Sequence, residues 1–285
     1  MIIDELGLNL SDVALWFAHE QDAPYVLVEV SQAHCNAWAA ELGMPVRRCY
    51  VSDAVLADRA NKTGLSVAEL IAARLPDAGS TMAGDFGEIL VYICQSAMEL
   101  PKKVIGPKKW QLKQDRTKPA PYSDVVQFVL TSWPTSTVDD EILCSEVKTK
   151  STDGASTPIT SAIEDSEKDR TSRLAKTLVW LRERAYYESL GEVEVGHLNR
   201  FINATDHPPA RRRFQAVAVI CASLVTKELK SAPKIADPEY TVIVLAVPNL
   251  KDAYSAIFES AKNALLPVSE PAIAGASAPA ASATK

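Results

Sequence analysis

Histidine and cysteine are scarce in this chain of 285 residues, and where they occur they stand apart. The five cysteines, Cys35, Cys49, Cys94, Cys144 and Cys221, are odd in number and form no C-x-x-C pair. That spacing argues against a disulfide framework and a structural zinc site, and for free thiols in a reducing cytoplasm. The four histidines make no H-E-x-x-H. Neither His197 nor His207 is spaced to serve a nucleophilic serine or cysteine, so a hydrolase triad is a poor reading and both are assigned to loop packing. No G-x-x-x-x-G-K-[ST] loop is present, which places any ATP-driven step on a partner. No apolar run approaches the roughly 18–20 residues of a membrane span. The start, Met1-Ile2-Ile3-Asp4-Glu5, lacks the basic residues and small-residue cleavage site of a secretory signal. These absences predict a cytoplasmic protein without a membrane partner.

What is present has an ordinary globular profile. Hydrophobic residues make up 47% and charged residues 23%, enough for a sizeable core in one large domain or two small ones. The net charge of −6 argues against a general nucleic-acid coat. One stretch departs from it: between Lys102 and Lys118 seven basic side chains face Asp115 alone. Such local asymmetry points to one anionic partner site on an acidic surface.

Periodicity organises the rest. It predicts a helix over 11–19 capped by Ser11, a strand over 25–30, and a helix over 32–42 ended by Gly43 and Pro45. Ser66 and Glu69 have capping-box spacing at the head of a helix that Pro76 stops. Phe86, Leu90, Ile93 and Ala97 recur at core spacing in a helix over 84–100, with Glu88 pointing away from that stripe. Residues 101–121, with four prolines and Gly106, read as a loop or extended arm. Strands over 124–130 and 141–149 form an expected antiparallel pair. A mobile Ser/Thr-rich segment (151–161) then leads to a long helix over 166–190, whose arginines read as a solvated face. Helix and strand compete over 214–224; a strand follows over 240–247, then a helix from Asn249 to about residue 265. The Ala/Ser/Pro tail is expected to be disordered.

The chemistry concentrates between Gly84 and Lys150. Glu146 and Lys148, two apart on a strand, project from one face. If Asp124 heads the neighbouring strand, the two acids can hold a divalent cation, Mg²⁺ or Mn²⁺, and Lys148 can orient a water or stabilise a pentavalent phosphate. Glu88 is a candidate third carboxylate. An E-x-K triplet alone is equally a solvated strand face with an ion pair. Lys102, Lys103, Lys108, Lys109 and Lys113 would neutralise DNA phosphates, with Trp110 either stacking on an unpaired base or tucked into the core.

Gly84-Asp85-Phe86-Gly87-Glu88-Ile89-Leu90, Pro101-Lys102-Lys103, Ser123-Asp124-Val125-Val126 and Ser145-Glu146-Val147-Lys148 together resemble the HamA family of Hachiman antiphage defence, related to the Abp defence nuclease. The resemblance covers about residues 60–260. It implies a PD-(D/E)xK nuclease fold, an α/β (α+β) core with a central mixed sheet flanked by helices, and metal-dependent DNA cleavage. It also implies a superfamily 2 helicase partner, HamB-like, that restrains the nuclease until DNA is sensed. On this basis Asp124, Glu146 and Glu88 match the metal-binding acids and Lys148 the catalytic lysine. The proline that names the motif is absent just before Asp124, where Tyr122-Ser123 stands. The expected organisation is an N-terminal helical and strand extension over 1–80, available to a partner, a nuclease-like core over 81–266 and the tail over 267–285. The alternative is a catalytically silent adaptor that binds DNA or the helicase.

Overall fold

The β-branched and apolar runs of the sequence line up side by side in a computed structural model that describes residues 2–22, 24–234 and 237–266. The tail over 267–285 lies outside the described residues. In chain order the elements are α1 (Leu10–Ala14), β1 (Phe17–Asp22), β2 (Tyr25–Val30), α2 (Gln32–Glu41), α3 (Gly43–Tyr50), α4 (Asp53–Thr63), α5 (Val67–Ala72) and α6 (Ser80–Met98). There follow β3 (Val104–Ile105), β4 (Val125–Val129), β5 (Glu141–Lys150), α7 (Pro158–Lys168), α8 (Leu174–Ala185) and α9 (Val195–Ile202). The last are β6 (Arg211–Cys221), α10 (Ala222–Ser231), β7 (Tyr240–Val247) and α11 (Leu250–Asn263).

One seven-stranded mixed sheet runs in the order β1-β2-β7-β6-β5-β4-β3. Its centre is parallel, β2 with β7, β7 with β6 and β6 with β5. Such strands are covered on both faces, which is why β6 and β7 read as nearly continuous apolar runs. The edges are antiparallel, including the expected β4–β5 pair, in which Val125 lies opposite Ser145. Helices cover both faces, giving the α/β fold class expected.

Alternation along the strands assigns the two faces. Val147, Val217 and Ile243 join one core with Phe86, Leu90 and Ile93 of α6 and Tyr254 and Ile257 of α11. On the other face Ile142, Cys144, Val126 and Phe128 meet Leu174, Leu178 and Leu181 of α8, while Ala218 and Val244 meet Ile159 of α7.

Several local expectations change. The helix expected over 11–19 ends at Ala14, because Phe17 pairs with Val30 as β1. The helix expected over 32–42 is α2 and does end, at Glu41, but Gly43 and Pro45 then open α3, Pro45 falling in its first turn, where a missing N–H costs nothing. The helix expected over 166–190 is α7 and α8 joined by one π-helical turn, Asp169–Arg173. The segment after β5, expected to be mobile, is pinned: Lys150 pairs with Glu228 at 2.7 Å and donates to the Gly154 and Ser156 carbonyls. Residues 214–221 are strand, with the helix starting at Ala222. The boundary expected near residue 80 runs through a shared core, since Trp16, Trp38 and Phe86 are buried in one cluster and β2 pairs with β7.

Candidate active site

Glu146 occupies the face of β5 turned to α7 and α8, and it is 1% exposed. Both its carboxylate oxygens are taken. Lys148 Nζ donates to Oε1 at 2.6 Å and Arg173 Nη2 to Oε2 at 2.8 Å. Lys148 also pairs with Asp165 of α7 at 2.7 Å, and Arg173 Nε with Asp169 at 2.7 Å. Burial, then the negative charge of Asp124, push the Glu146 carboxyl up to about 8 against the pull of Lys148 and Arg173. Burial tends to lower the pKa of Lys148, but its bonds to Asp165 and Glu146 win and raise it. Asp165 goes the other way, to about 2: the Lys148 and Lys168 ammonium groups outweigh its burial.

Asp124 sits one residue ahead of β4, and continuing the register from Val125↔Ser145 puts it opposite Glu146. Its Oδ2 accepts the Val147 N–H at 2.8 Å, so the β5 backbone holds it against the strand that carries Glu146. Burial raises its pKa, while Lys109 and that N–H oppose the rise. The preceding residue is anchored as well: Ser123 Oγ donates to Asp169 at 2.6 Å and its N–H to Thr177 Oγ1 at 3.1 Å. Lys109 donates to the Ser123 carbonyl.

Glu88 approaches from α6, on the opposite face of the sheet. It is buried, accepts the Trp110 indole N–H at 3.1 Å, and has its pKa raised well above the ordinary range by burial and then by Asp124. Asp124 is therefore the group whose charge both Glu88 and Glu146 feel; of the three acids, Lys148 and Arg173 hydrogen-bond Glu146. The structure brings Asp124, Glu146 and Lys148 together and places Glu88 behind Asp124.

The basic segment is not an exposed arm. Lys108, Lys109 and Lys113 are 5%, 1% and 7% exposed, and Trp110 is 2% exposed in the core. Lys108 pairs with Glu5, Lys113 with Asp85 at 2.8 Å, and Lys109 serves the turn before Asp124. These three ammonium groups hold the chain together around the site and leave no free face for phosphate. Lys102 and Lys103 are exposed, paired with Glu141 and Glu192.

Three side chains of the site escape a reading of the sequence: Asp165, Asp169 and Arg173. The only signal is the i,i+4 spacing of Asp169 and Arg173, common on solvated helices. What singles them out is the π turn that carries both, a device that recurs at functional sites. Asp169 Oδ2 is buried without a hydrogen-bond partner. Among the described residues no three His, Cys, Asp or Glu side chains stand as a ready metal group. The site's hard oxygens are those of Asp124 and Glu146, three of them already accepting hydrogen bonds, and the unpartnered Oδ2 of Asp169.

Sheet order and helical cover define a mixed α/β protein whose polar site lies where β4 begins, against the middle of β5. The chain belongs to the HamA family, whose model matches residues 13–261, beyond the span the motifs alone suggested. It is thus an antiphage defence protein of the Hachiman type, and that membership implies a partner from the same system. No curated protein matches the chain. Among the described residues no helix is long and apolar enough to cross a membrane.

Proposed function

We propose that this protein is the metal-dependent deoxyribonuclease subunit of its defence complex. The observation that supports this reading is the juxtaposition of Asp124 and Glu146 across the β4–β5 pair, with Lys148 bonded to Glu146. The donor set fits a Mg²⁺ or Mn²⁺ ion. It offers hard carboxylate oxygens, their pKa values are raised chiefly by burial and, for Glu146 and Glu88, next by the charge of Asp124, and one Asp169 oxygen is left unpartnered. Asp124 and Glu146 would hold the ion, which when bound supplies charge neutralisation at the phosphoryl group and a hydroxide at neutral pH.

The chain's own groups account for the rest. Lys148 keeps its proton beside Asp165 and Glu146, so it presents a cation to a developing phosphorane oxygen rather than acting as a base. Arg173 can fill the same electrostatic role from the π turn ahead of α8. Glu88, buried behind Asp124, feels the charge of Asp124 and bonds the Trp110 indole N–H. A superfamily 2 helicase partner would restrain this activity until DNA is sensed.

Plasmid DNA incubated with the chain, alone and with the helicase encoded beside it, should be degraded with Mg²⁺ and not with EDTA. Glu146→Ala and Lys148→Ala should each cut cleavage by about 100-fold or more while retaining a cooperative thermal transition. Wild-type cutting by both variants would overturn the site.

A second reading has one observation in its favour: Lys148 and Arg173 already occupy both Glu146 oxygens. A silent adaptor that binds DNA or the helicase would keep such a closed pair for structure. Undiminished phage protection by the Glu146→Ala protein would select it.

A further inference from the structure

One stripe of α8 runs outward from the site beside the chain that leads into β4. Arg173 bonds Glu146, Thr177 bonds Ser123, and Trp180 packs against Tyr122 with ring centroids 6.0 Å apart. Arg184 then lies 6.0 Å from the Trp180 ring. Positions 173, 177, 180 and 184 share one helix face, and Trp180 stands about 10 Å along the axis from Arg173. Tyr122 is 43% exposed, unlike the buried Trp110, and it adopts a left-handed φ of 67° that a bulky residue takes only when its surroundings impose it. A cleft of about 290 Å³ opens beside the pair, between Lys118, Pro121, Trp180 and Arg184.

We propose that Tyr122 and Trp180 form a stacking platform for an unpaired DNA base at the edge of the carboxylate site, with Lys176 and Arg184 receiving the flanking phosphates. The inference rests on the nuclease reading for its choice of DNA. Duplex bases are already stacked on one another, so the exposed Tyr122 ring, backed by the half-buried Trp180, favours a single strand or a frayed end. The charge around the rings suits a phosphate chain. Lys176, one turn before Trp180, is exposed and makes no ion pair among the described residues. Arg184 pairs with Glu188 at 3.0 Å and Lys118 with Asp115 at 3.6 Å. Both are exposed contacts of the weak kind that phosphate can displace. The platform also lies two residues from Asp124, so a base held there places its neighbouring phosphodiesters beside the acids. It performs the stacking that the sequence offers to Trp110, at the residues the fold leaves open.

The test measures binding of the full-length chain to a fluorescent oligothymidine and to a blunt hairpin duplex by anisotropy in EDTA. Tyr122→Ala and Trp180→Ala are expected to weaken oligothymidine binding about tenfold each and to leave duplex binding unchanged. Tyr122→Phe and Trp180→Phe, which keep a ring, are expected to stay within about twofold. The proposal is overturned if the wild-type chain does not bind the oligothymidine, or if the alanine variants bind it normally. It is also overturned if both DNA forms are lost alike, or if the alanine variants keep DNA affinity and instead lose the helicase partner. Failure of Mg²⁺-dependent cutting in every protein, with these binding results intact, would remove the nuclease reading and leave the platform.

Discussion

Glu146 is the residue on which charge and burial conflict most directly. Its carboxyl is buried beside Asp124, and only Lys148 and Arg173 offset the cost of ionising it. The sign of the consequence is fixed by linkage. Because the folded-state value of about 8 lies above the ordinary 4.5, its contribution to stability is complete below about pH 4.5 and is lost as pH rises through 8. Glu146→Gln removes the charge and keeps one acceptor oxygen, for one of the two cations. Its stability relative to wild type should therefore grow between pH 6 and pH 9, by on the order of 1–3 kcal/mol. Thermal melts of the two proteins at both pH values check this. An advantage that stays constant across this range would show that the two cations already hold Glu146 ionised.

At the scale of the element, α6 shows how one motif mixes packing with chemistry. Gly84 and Gly87 flank Asp85 and Phe86 in the segment that carries Glu88. A Cβ at Gly87 would fall 2.0 Å from Thr149 Oγ1 and 3.4 Å from Val147 Cγ1 on β5, whereas one at Gly84 meets nothing within 4 Å. Thr149 is β-branched, so its χ1 yields only at a cost. Gly87→Ala is expected to destabilise by about 1–3 kcal/mol, and Gly84→Ala to stabilise by up to about 1 kcal/mol through helix propensity. Urea titrations of the two variants measure the contrast. Gly87 is what lets α6 approach β5 closely enough to bring Glu88 behind Asp124.

For the molecule as a whole, the question is whether the first 80 residues are an appendage. β2 covers the edge of β7 from Val242 to Ala246, and Leu6, Trp16, Phe17 and Val28 are buried in the main core. Removing residues 1–30 would expose a parallel strand edge and a large apolar surface, the conditions for aggregation. The truncated chain is expected to be insoluble or to lose its cooperative thermal transition. A soluble truncation with native far-UV circular dichroism would instead make residues 1–30 dispensable to the fold.

By itself the sequence determined whatever depends on near neighbours. The Ser66–Glu69 capping box, the strands over Tyr25–Val30 and Tyr240–Val247, and the pairing of β4 with β5 follow from local side-chain chemistry and from two-residue alternation, and all are present. The same alternation put Glu146 and Lys148 on one face. Contacts between distant parts of the chain were decided by the tertiary structure. Phe17 became a strand because Val30 was there to pair with it, and the lysines at 108, 109 and 113 were buried because Glu5, the Ser123 carbonyl and Asp85 receive them. Arg173 and Asp169 joined the site, and Trp180 met Tyr122, only when α8 was laid along the approach to β4. Periodicity fixes which way a side chain faces along its own element; which charge or ring it meets there is set by how the elements pack.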